Sequence, residues 1–136
     1  MINVTDLFKA LGDETRLRLA HLFLQTDKDI CVCEMVDTLK LPQYQISKHL
    51  TILKNAGLLH ASRKGTWVYY SLNRDEAALW RDLSKALRRH LEQPLFRQDA
   101  AELKKRLALR ENGRCVVGFV AIKALRSSTH STKANR

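Results

Sequence analysis

The segment from Pro42 to Gly57 constrains the fold of this 136-residue chain more than any other. Proline disfavours a helical conformation in the residue before it and suits the first position of a helix, whereas glycine readily forms the left-handed turn that ends one. Between these two residues, Ile46, Leu50 and Leu53 recur at helical spacing. The pattern predicts an amphipathic helix with sharply defined ends.

Three further helical patterns precede this helix. The first ends at Gly12, and the second begins after Asp13 as its N-cap and directs Arg16 and Arg18 toward solvent. The third, CVCEMVDTLKL, ends at Leu41, directly before the proline. Two short helices, a turn and a longer helix are the arrangement of a helix-turn-helix.

The pattern changes after Gly57. Two short β-prone runs, LLHAS and WVYYSL, are joined by RKGT, whose glycine suits the tight turn of a hairpin. Helical spacing returns from Asp75 to Leu91 and again at about residues 97–110. The predicted fold class is therefore mainly α with a small β-hairpin, a winged helix-turn-helix.

The charge of the chain indicates a polyanionic partner. Lys and Arg number 24 against 14 Asp and Glu, a net charge of +10, and neutralising phosphates releases condensed counterions. Charge alone also fits a basic protein kept soluble, or one attracted to anionic lipid. Because no apolar stretch reaches the roughly 18 residues of a membrane span and the N-terminus has no signal pattern, we expect a cytoplasmic protein that does not enter a membrane.

The polar face of the long helix carries groups that can reach base edges. A recognition helix uses its N-terminal turns for that purpose, and cations at the tip of a hairpin reach phosphates or a minor groove. An ordinary solvated helix face has a similar composition, but Pro42, Gly57 and the hairpin together favour DNA binding. We expect DNA contacts from Gln43, Tyr44, Ser47, Lys48, Thr51, Lys54, Arg63 and Lys64.

Cys31 and Cys33 are the sharpest chemical signal. Soft thiolates select soft ions over magnesium or calcium, and three cysteines in total are too few, and odd in number, for a disulfide framework. Buried structural thiols are the alternative, since free cysteine is among the most buried residue types.

The run ICVCEMVDTLKLPQYQISKHLTILKNAGLLHASRKGTWVYYSL closely resembles the ArsR family of bacterial metalloregulators, especially members with Cys-Val-Cys at the third helix. LFKALGDETRLRLAHLF also resembles that family, and the likeness covers roughly residues 4–91. It implies that Cys31 and Cys33 bind As(III) or Sb(III) as inducer, and that the repressor needs no cofactor to bind double-stranded operator DNA but leaves it when the inducer binds.

The resemblance also implies a homodimer that pairs through the first and fifth helices and presents two recognition helices to an inverted repeat. The apolar stripe of the fifth helix independently needs a cover, and a second copy of the chain would supply one. The predicted interface residues are Leu7, Phe8, Leu11, Leu79, Trp80, Leu83 and Leu87.

The resemblance is incomplete at the third ligand. Many members carry a third cysteine three positions after the pair, where this chain has Val36. Cys115 is the remaining thiol and the candidate third ligand, from its own or the partner subunit. Since residues two apart on a helix point to nearly opposite sides, we expect ion binding to unwind the first turn of the third helix and so move the recognition helix.

Composition divides the chain into three parts. Residues 1–92 are predicted as the DNA-binding and dimerisation domain, residues 93–125 as an extension with one helix and a docked apolar segment, and residues 126–136 as a disordered basic tail.

Two other switches would use the same fold. The thiols could be oxidised. Alternatively, they could sense cadmium, zinc or lead. The coordination number separates these ions from arsenic, since three sulfurs suit trigonal arsenic and four ligands suit tetrahedral zinc. A small thiol enzyme is the alternative from another class. The chain has no C-x-x-C pair, glycine-rich phosphate loop or acid–base pair, so we expect no enzymatic activity.

Overall fold

A computed structural model describes residues 3–74, 77–116 and 118, without the side chains of residues 77 and 80. Its helices and strands are α1 (Val4–Leu11), α2 (Glu14–Gln25), β1 (Ile30–Cys31), α3 (Val32–Leu39), α4 (Gln43–Asn55), β2 (Leu59–Lys64), β3 (Trp67–Leu72), α5 (Ala77–His90) and α6 (Pro94–Leu107). The predicted class, mainly α with a small antiparallel sheet, is confirmed. Within these ranges no helix has both the length and the apolar character of a membrane span.

Helix α2 begins where the sequence predicts. The carboxylate of Asp13 accepts a hydrogen bond from the backbone N–H of Arg16 at 3.1 Å. The expectation that Arg16 and Arg18 point to solvent is wrong, because both find partners in the fold. Arg16 Nε donates to the carbonyl of Ala10 at 2.6 Å, and Arg18 binds both carboxylate oxygens of Asp99 on α6 at 2.8 and 2.9 Å.

The predicted helix-turn-helix is formed by α3 and α4. Lys40 adopts a left-handed conformation (φ 58°) that ends α3, and Pro42 precedes α4 in an extended conformation. Ile46, Leu50 and Leu53 are fully buried, as their spacing predicts, so the opposite face of α4 is left toward solvent. The turn fixes the direction in which α4 leaves α3.

The hairpin of β2 and β3 is the predicted wing, with Gly65 at its tip in a left-handed conformation (φ 64°). The sequence interpretation missed a third strand. The two-residue strand β1 pairs antiparallel with β3, placing Cys31 opposite Tyr69, and the order of the sheet is β1-β3-β2. Cys31 therefore lies in a strand that precedes α3, not in the helix.

Helix α6 packs against α2 and α3. It begins at Pro94, earlier than the predicted start near residue 97, because proline is tolerated at the first position of a helix. Leu103 is buried in the main core, and Phe96 meets the ring of His21 edge-on at 5.2 Å. The predicted basic tail, residues 126–136, lies outside the described residues.

Candidate thiol centre and DNA-facing surface

The three cysteines meet in one buried cluster. Cys31 Sγ lies 3.1 Å from Cys33 Sγ, Cys33 Sγ lies 3.2 Å from Cys115 Sγ, and all three sulfurs are within 4.8 Å of one another. Each of the three residues is at most 2% exposed. Among the described residues, this cluster is where three potential metal ligands come together.

Cys31 and Cys33 meet because only one of them is helical. Cys31 has extended backbone angles (φ −77°, ψ 149°) as the N-cap of α3, whereas Cys33 is in the first turn of that helix. The premise of the expected unwinding, that both residues lie on one helix, is wrong, because the strand geometry of Cys31 already turns its thiol toward Cys33.

Cys115 reaches the cluster along the chain that follows α6. Its backbone N–H donates to the hydroxyl oxygen of Tyr69 at 3.1 Å, and Tyr69 is the residue that pairs with Cys31 across the sheet. Val36, the position where many similar proteins have a third cysteine, is instead 7% exposed and part of the main apolar core. In this chain the third thiol is supplied 82 residues after Cys33.

The protonation of the cluster is uneven. The Cys33 thiol donates to Cys31, which lowers the pKa of Cys31 to about 7 even though burial opposes the charge. The same hydrogen bond, together with burial, raises the pKa of Cys33 above its ordinary value. Cys31 is therefore more easily ionised than Cys33, and the thiolate is the form that binds soft ions.

The geometry fits a soft ion. A zinc–sulfur bond of about 2.3 Å, taken as a guide, places tetrahedral sulfur ligands roughly 3.8 Å apart. The observed separations of 3.1 and 3.2 Å are about 0.6–0.7 Å shorter than that value, so the sulfurs must move apart to hold such an ion. Three sulfur donors, with no oxygen or nitrogen ligand among the described residues of the cluster, select thiophilic ions.

Two arginines of the extension flank the cluster. Arg110 binds Glu34 through Nη2–Oε1 at 2.6 Å and Nε–Oε2 at 2.7 Å, and Glu34 in turn accepts the backbone N–H of Cys31 at 2.9 Å. Arg106 Nε donates to Asp37 at 2.7 Å. These buried pairs fix the end of α6 and the residues after it onto α3.

A cavity of about 260 Å³ joins the thiols to the recognition helix and the wing. Cys31 and Cys33 form one wall, and Gln43 and Ser47 of α4 form another. The remaining walls are supplied by Val32 and by the wing residues Thr66, Trp67, Val68 and Tyr70. The cavity therefore places the thiols next to the first turns of α4.

The side chains predicted to contact DNA lie on α4 and at the wing tip. Ser47 is half-buried, and Thr51 Oγ1 donates to the Ser47 carbonyl at 3.0 Å. Lys64 forms an ion pair with Asp29 at 3.1 Å and stands 5.2 Å above the centre of the Tyr69 ring. The exposed members are Gln43, Tyr44, Lys48, Thr51, Lys54, Arg63 and Lys64.

The predicted dimer residues occupy different environments in the single chain. Leu7 is fully buried in the core of its own chain, whereas Phe8 is 52% exposed. The side chain of Trp80 lies outside the described part of the structure. Partly buried and packed against the main core are Leu11, Leu79, Leu83 and Leu87.

Sequence reasoning missed the charged residues around the thiols. One signal could have found them: Arg106 and Arg110 are four residues apart on the last turn of α6 and the residues after it, and Glu34 and Asp37 are three apart on α3. Such spacing puts each pair on one side of a helix. Tyr69 carried no comparable signal, because its contact with Cys115 depends on the path of the chain after α6.

Residues 13–61 match the sequence model described as bacterial regulatory protein, arsR family. An uncharacterized HTH-type transcriptional regulator from Methanocaldococcus jannaschii is 49% identical over 65 residues, which cover 48% of this chain and 72% of that relative. The chain belongs to the ArsR family. It is thus a transcriptional regulator of that family, built on a winged helix.

Two resistance regulators are also similar. An arsenic resistance transcriptional regulator of Pseudomonas putida is 45% identical over 76 residues, covering 56% of this chain and 58% of that relative. A cadmium resistance regulatory protein homolog from Staphylococcus aureus is 36% identical over 72 residues, covering 53% of this chain and 59% of that relative. The matched region thus spans less than two thirds of either relative, so their ion preferences do not transfer directly to this ArsR-family chain.

Solved structures resemble the winged-helix part. HlyU from Vibrio cholerae superposes with a TM-score of 0.56 at 28% identity, covering 65% of this chain and 92% of that one. The homodimeric winged helix-turn-helix DNA-binding domain of a possible ArsR-family regulator from Mycobacterium bovis gives a TM-score of 0.54 at 30% identity, covering 65% of this chain and 82% of that one. Both likenesses support the ArsR-family fold.

Proposed function

We propose that this ArsR-family regulator is a cytoplasmic homodimeric repressor that leaves its operator when As(III) or Sb(III) binds Cys31, Cys33 and Cys115. The observation that carries the proposal is the gathering of three buried sulfurs within 4.8 Å beside the recognition helix. A structural role alone would not require three thiols from two distant parts of the chain to converge.

The number of donors favours trivalent arsenic. Arsenous acid exchanges its three hydroxyl groups for three thiols and releases three waters, which leaves a neutral three-sulfur complex. Tetrahedral zinc takes a fourth ligand, and no fourth ligand is present in the cluster among the described residues.

DNA binding is assigned to the exposed face of α4 and to the wing. In a dimer two such faces would read the two halves of an inverted repeat in double-stranded DNA. Val4 and Phe8 on α1 are each 52% exposed, and a second copy of the chain is the partner proposed to cover this apolar surface. The homodimeric state of a similar solved domain supports that arrangement.

The switch is proposed to act through the shared sheet and the cavity. An ion bonded to all three sulfurs would push Cys31 and Cys33 apart by about 0.7 Å and so displace Cys31, whose strand pairs with β3 of the wing. The cavity beside Cys31 and Cys33 transmits the change to Gln43 and Ser47. The ion then favours the conformation that fits DNA poorly, as thermodynamic linkage requires.

Fluorescence anisotropy of the reduced full chain on DNA from upstream of its own gene tests the proposal. Stoichiometric arsenite should release the DNA, whereas cadmium and zinc should release it only in large excess. Cys31→Ser should keep DNA binding and lose the release. Release by cadmium in place of arsenite would overturn the choice of ion, and loss of DNA binding by ion-free Cys31→Ser would indicate a structural thiol.

Oxidation is the second candidate switch. The sulfur separations of 3.1 and 3.2 Å and the lowered pKa of Cys31 favour it. Two thiols and one hydrogen peroxide would give one disulfide and two waters. DNA release by peroxide, reversed by a thiol reductant and absent with every ion, would establish this switch in place of ion sensing.

A further inference from the structure

We propose that Arg106 sets the ion preference of the thiol centre by stabilising complexes that carry negative charge. The inference rests on the proposed function, because it requires the three thiols to bind a soft ion. It names a specificity-determining residue that lies outside the set of ligands.

The geometry places a fixed positive charge against the sulfurs. Arg106 Nη2 lies 3.8 Å from Cys33 Sγ and 3.7 Å from Cys115 Sγ. Arg106 is 5% exposed, and its Nε is held by Asp37 at 2.7 Å while Nη2 also donates to the carbonyl of Gly118. The guanidinium therefore cannot turn away from the cluster without breaking buried hydrogen bonds.

One donor of this guanidinium is not used. Arg106 Nη1 is buried and has no hydrogen-bond partner among the residues that the structure describes. A buried donor without an acceptor costs free energy, so the described partners of Arg106 do not use its full hydrogen-bonding capacity. Because an arginine stays protonated in proteins, its charge is present whichever ion is bound.

The two classes of ion leave different charges on the centre. Arsenous acid and three thiols give a neutral complex and three waters. A divalent cation such as Cd²⁺ and three thiols give a complex with one negative charge and release three protons. Only the second product gains a charge–charge attraction to Arg106, and that attraction is strong in a site that excludes water.

Arg106 therefore widens the range of ligands to soft divalent cations. Without it, the buried cluster would strongly favour the neutral arsenic complex, because burying an uncompensated charge is costly. The residue is a positioning and charge-compensating group rather than a ligand, since its nitrogen atoms are donors and carry no lone pair for an ion.

The test compares the affinities of the reduced full chain for cadmium chloride and sodium arsenite, each followed by the ultraviolet absorbance of sulfur–ion bonds. Arg106→Gln combined with Asp37→Asn removes the pair of charges. We expect the ratio of cadmium to arsenite affinity to fall at least about tenfold. The single variant Arg106→Lys, which keeps the positive charge, should retain most of the ratio measured for the unaltered chain.

A matched control removes another buried pair between α6 and the core. Arg18→Gln combined with Asp99→Asn should leave the ratio unchanged, since the partners of Arg18 among the described residues are Asp99 and the carbonyl of Leu39. If the polar double variant does not fold, Arg106→Met with Asp37→Leu replaces it, because apolar residues of similar volume often replace a buried ion pair without loss of stability. The same fall in the ratio is expected.

An equal loss of both affinities, or an unchanged ratio, would overturn the role of Arg106 and leave the ion-binding proposal in place. A fall in the ratio that the control shows to the same extent would also overturn it. If the unaltered chain bound neither ion, the proposed function itself would fail, and this result is distinguishable because it needs no variant.

Discussion

Two cationic regions of this molecule use the same residue types in opposite environments. On α4 and the wing tip, Lys48 and Lys54 are exposed and Arg63 projects into solvent. After the middle of α6, Arg106 and Arg110 are nearly fully buried and each is held by a carboxylate of α3. The first region is positioned to meet a partner outside the protein, whereas the second fixes one part of the chain onto another.

The comparison shows that the environment of a cation, and not its presence, decides what it does. An exposed ion pair contributes little to stability because water screens it and the side chains lose entropy. A buried pair is costly to break, since removing one partner leaves an uncompensated charge.

Glu34→Gln should produce the largest loss. The substitution leaves the buried guanidinium of Arg110 without its carboxylate, and the free energy of unfolding should fall by about 3–5 kcal/mol. Urea denaturation measures this value. Glu102→Gln, which removes the partner of the exposed Lys105, is the control and should cost less than about 1 kcal/mol. Similar losses for the two variants would contradict the contrast.

The Cys31 thiol should titrate near pH 7 in place of its ordinary value of 9.0, because Cys33 donates to its thiolate. Thiolate absorbance near 240 nm should show this step, and Cys33→Ala should move it to higher pH. Between pH 7 and 9 the folded chain has lost a proton that the unfolded chain keeps. Stability should therefore rise with pH in this window, and a flat profile would count against the assignment.

On DNA, Lys48→Ala should weaken specific binding by about 1–3 kcal/mol and nonspecific binding less, as expected for a base contact. Lys64→Ala should weaken both and reduce the slope of log affinity against log salt by about one. Anisotropy titrations over a series of salt concentrations measure both effects. Equal losses without any salt dependence would remove these assignments.

Tyr69→Phe should have the smallest effect. It keeps the ring beneath Arg110 but removes the hydroxyl oxygen that accepts the N–H of Cys115. An unsatisfied buried donor costs about 1 kcal/mol or somewhat more, so arsenite affinity should fall roughly fivefold. Arsenite titration followed by sulfur–arsenic absorbance tests this, and an unchanged affinity would show that Tyr69 does not position the third thiol.

Local patterns were sufficient for α4 and the wing. The spacing of Ile46, Leu50 and Leu53 predicted the buried face of α4, and Pro42 predicted its start, because these signals act within one helix. The pattern of β1 could not be recognised, since a strand of two residues is too short to show a period. Its absence from the sequence interpretation led directly to the wrong expectation for the helix that follows.

Thiol chemistry and the resemblance to the ArsR family together selected Cys31, Cys33 and Cys115 as candidate ligands, but neither could arrange them. Their convergence depends on α6, and α6 is held by contacts between residues far apart in sequence, such as Arg18 with Asp99 and Arg106 with Asp37. The spacing of Arg106 and Arg110 can show that two charges share one side of a helix, but it cannot show which distant residue each of them meets.

The separation of 82 residues between Cys33 and Cys115 has a mechanical consequence. An ion bonded to both thiols would act as a cross-link, and closing a loop of that length lowers the entropy of the unfolded chain by an amount equivalent to about 4.5 kcal/mol. The inducer would thus stabilise the folded protein against unfolding. DNA release would then accompany an increase in the stability of the folded chain rather than its partial unfolding.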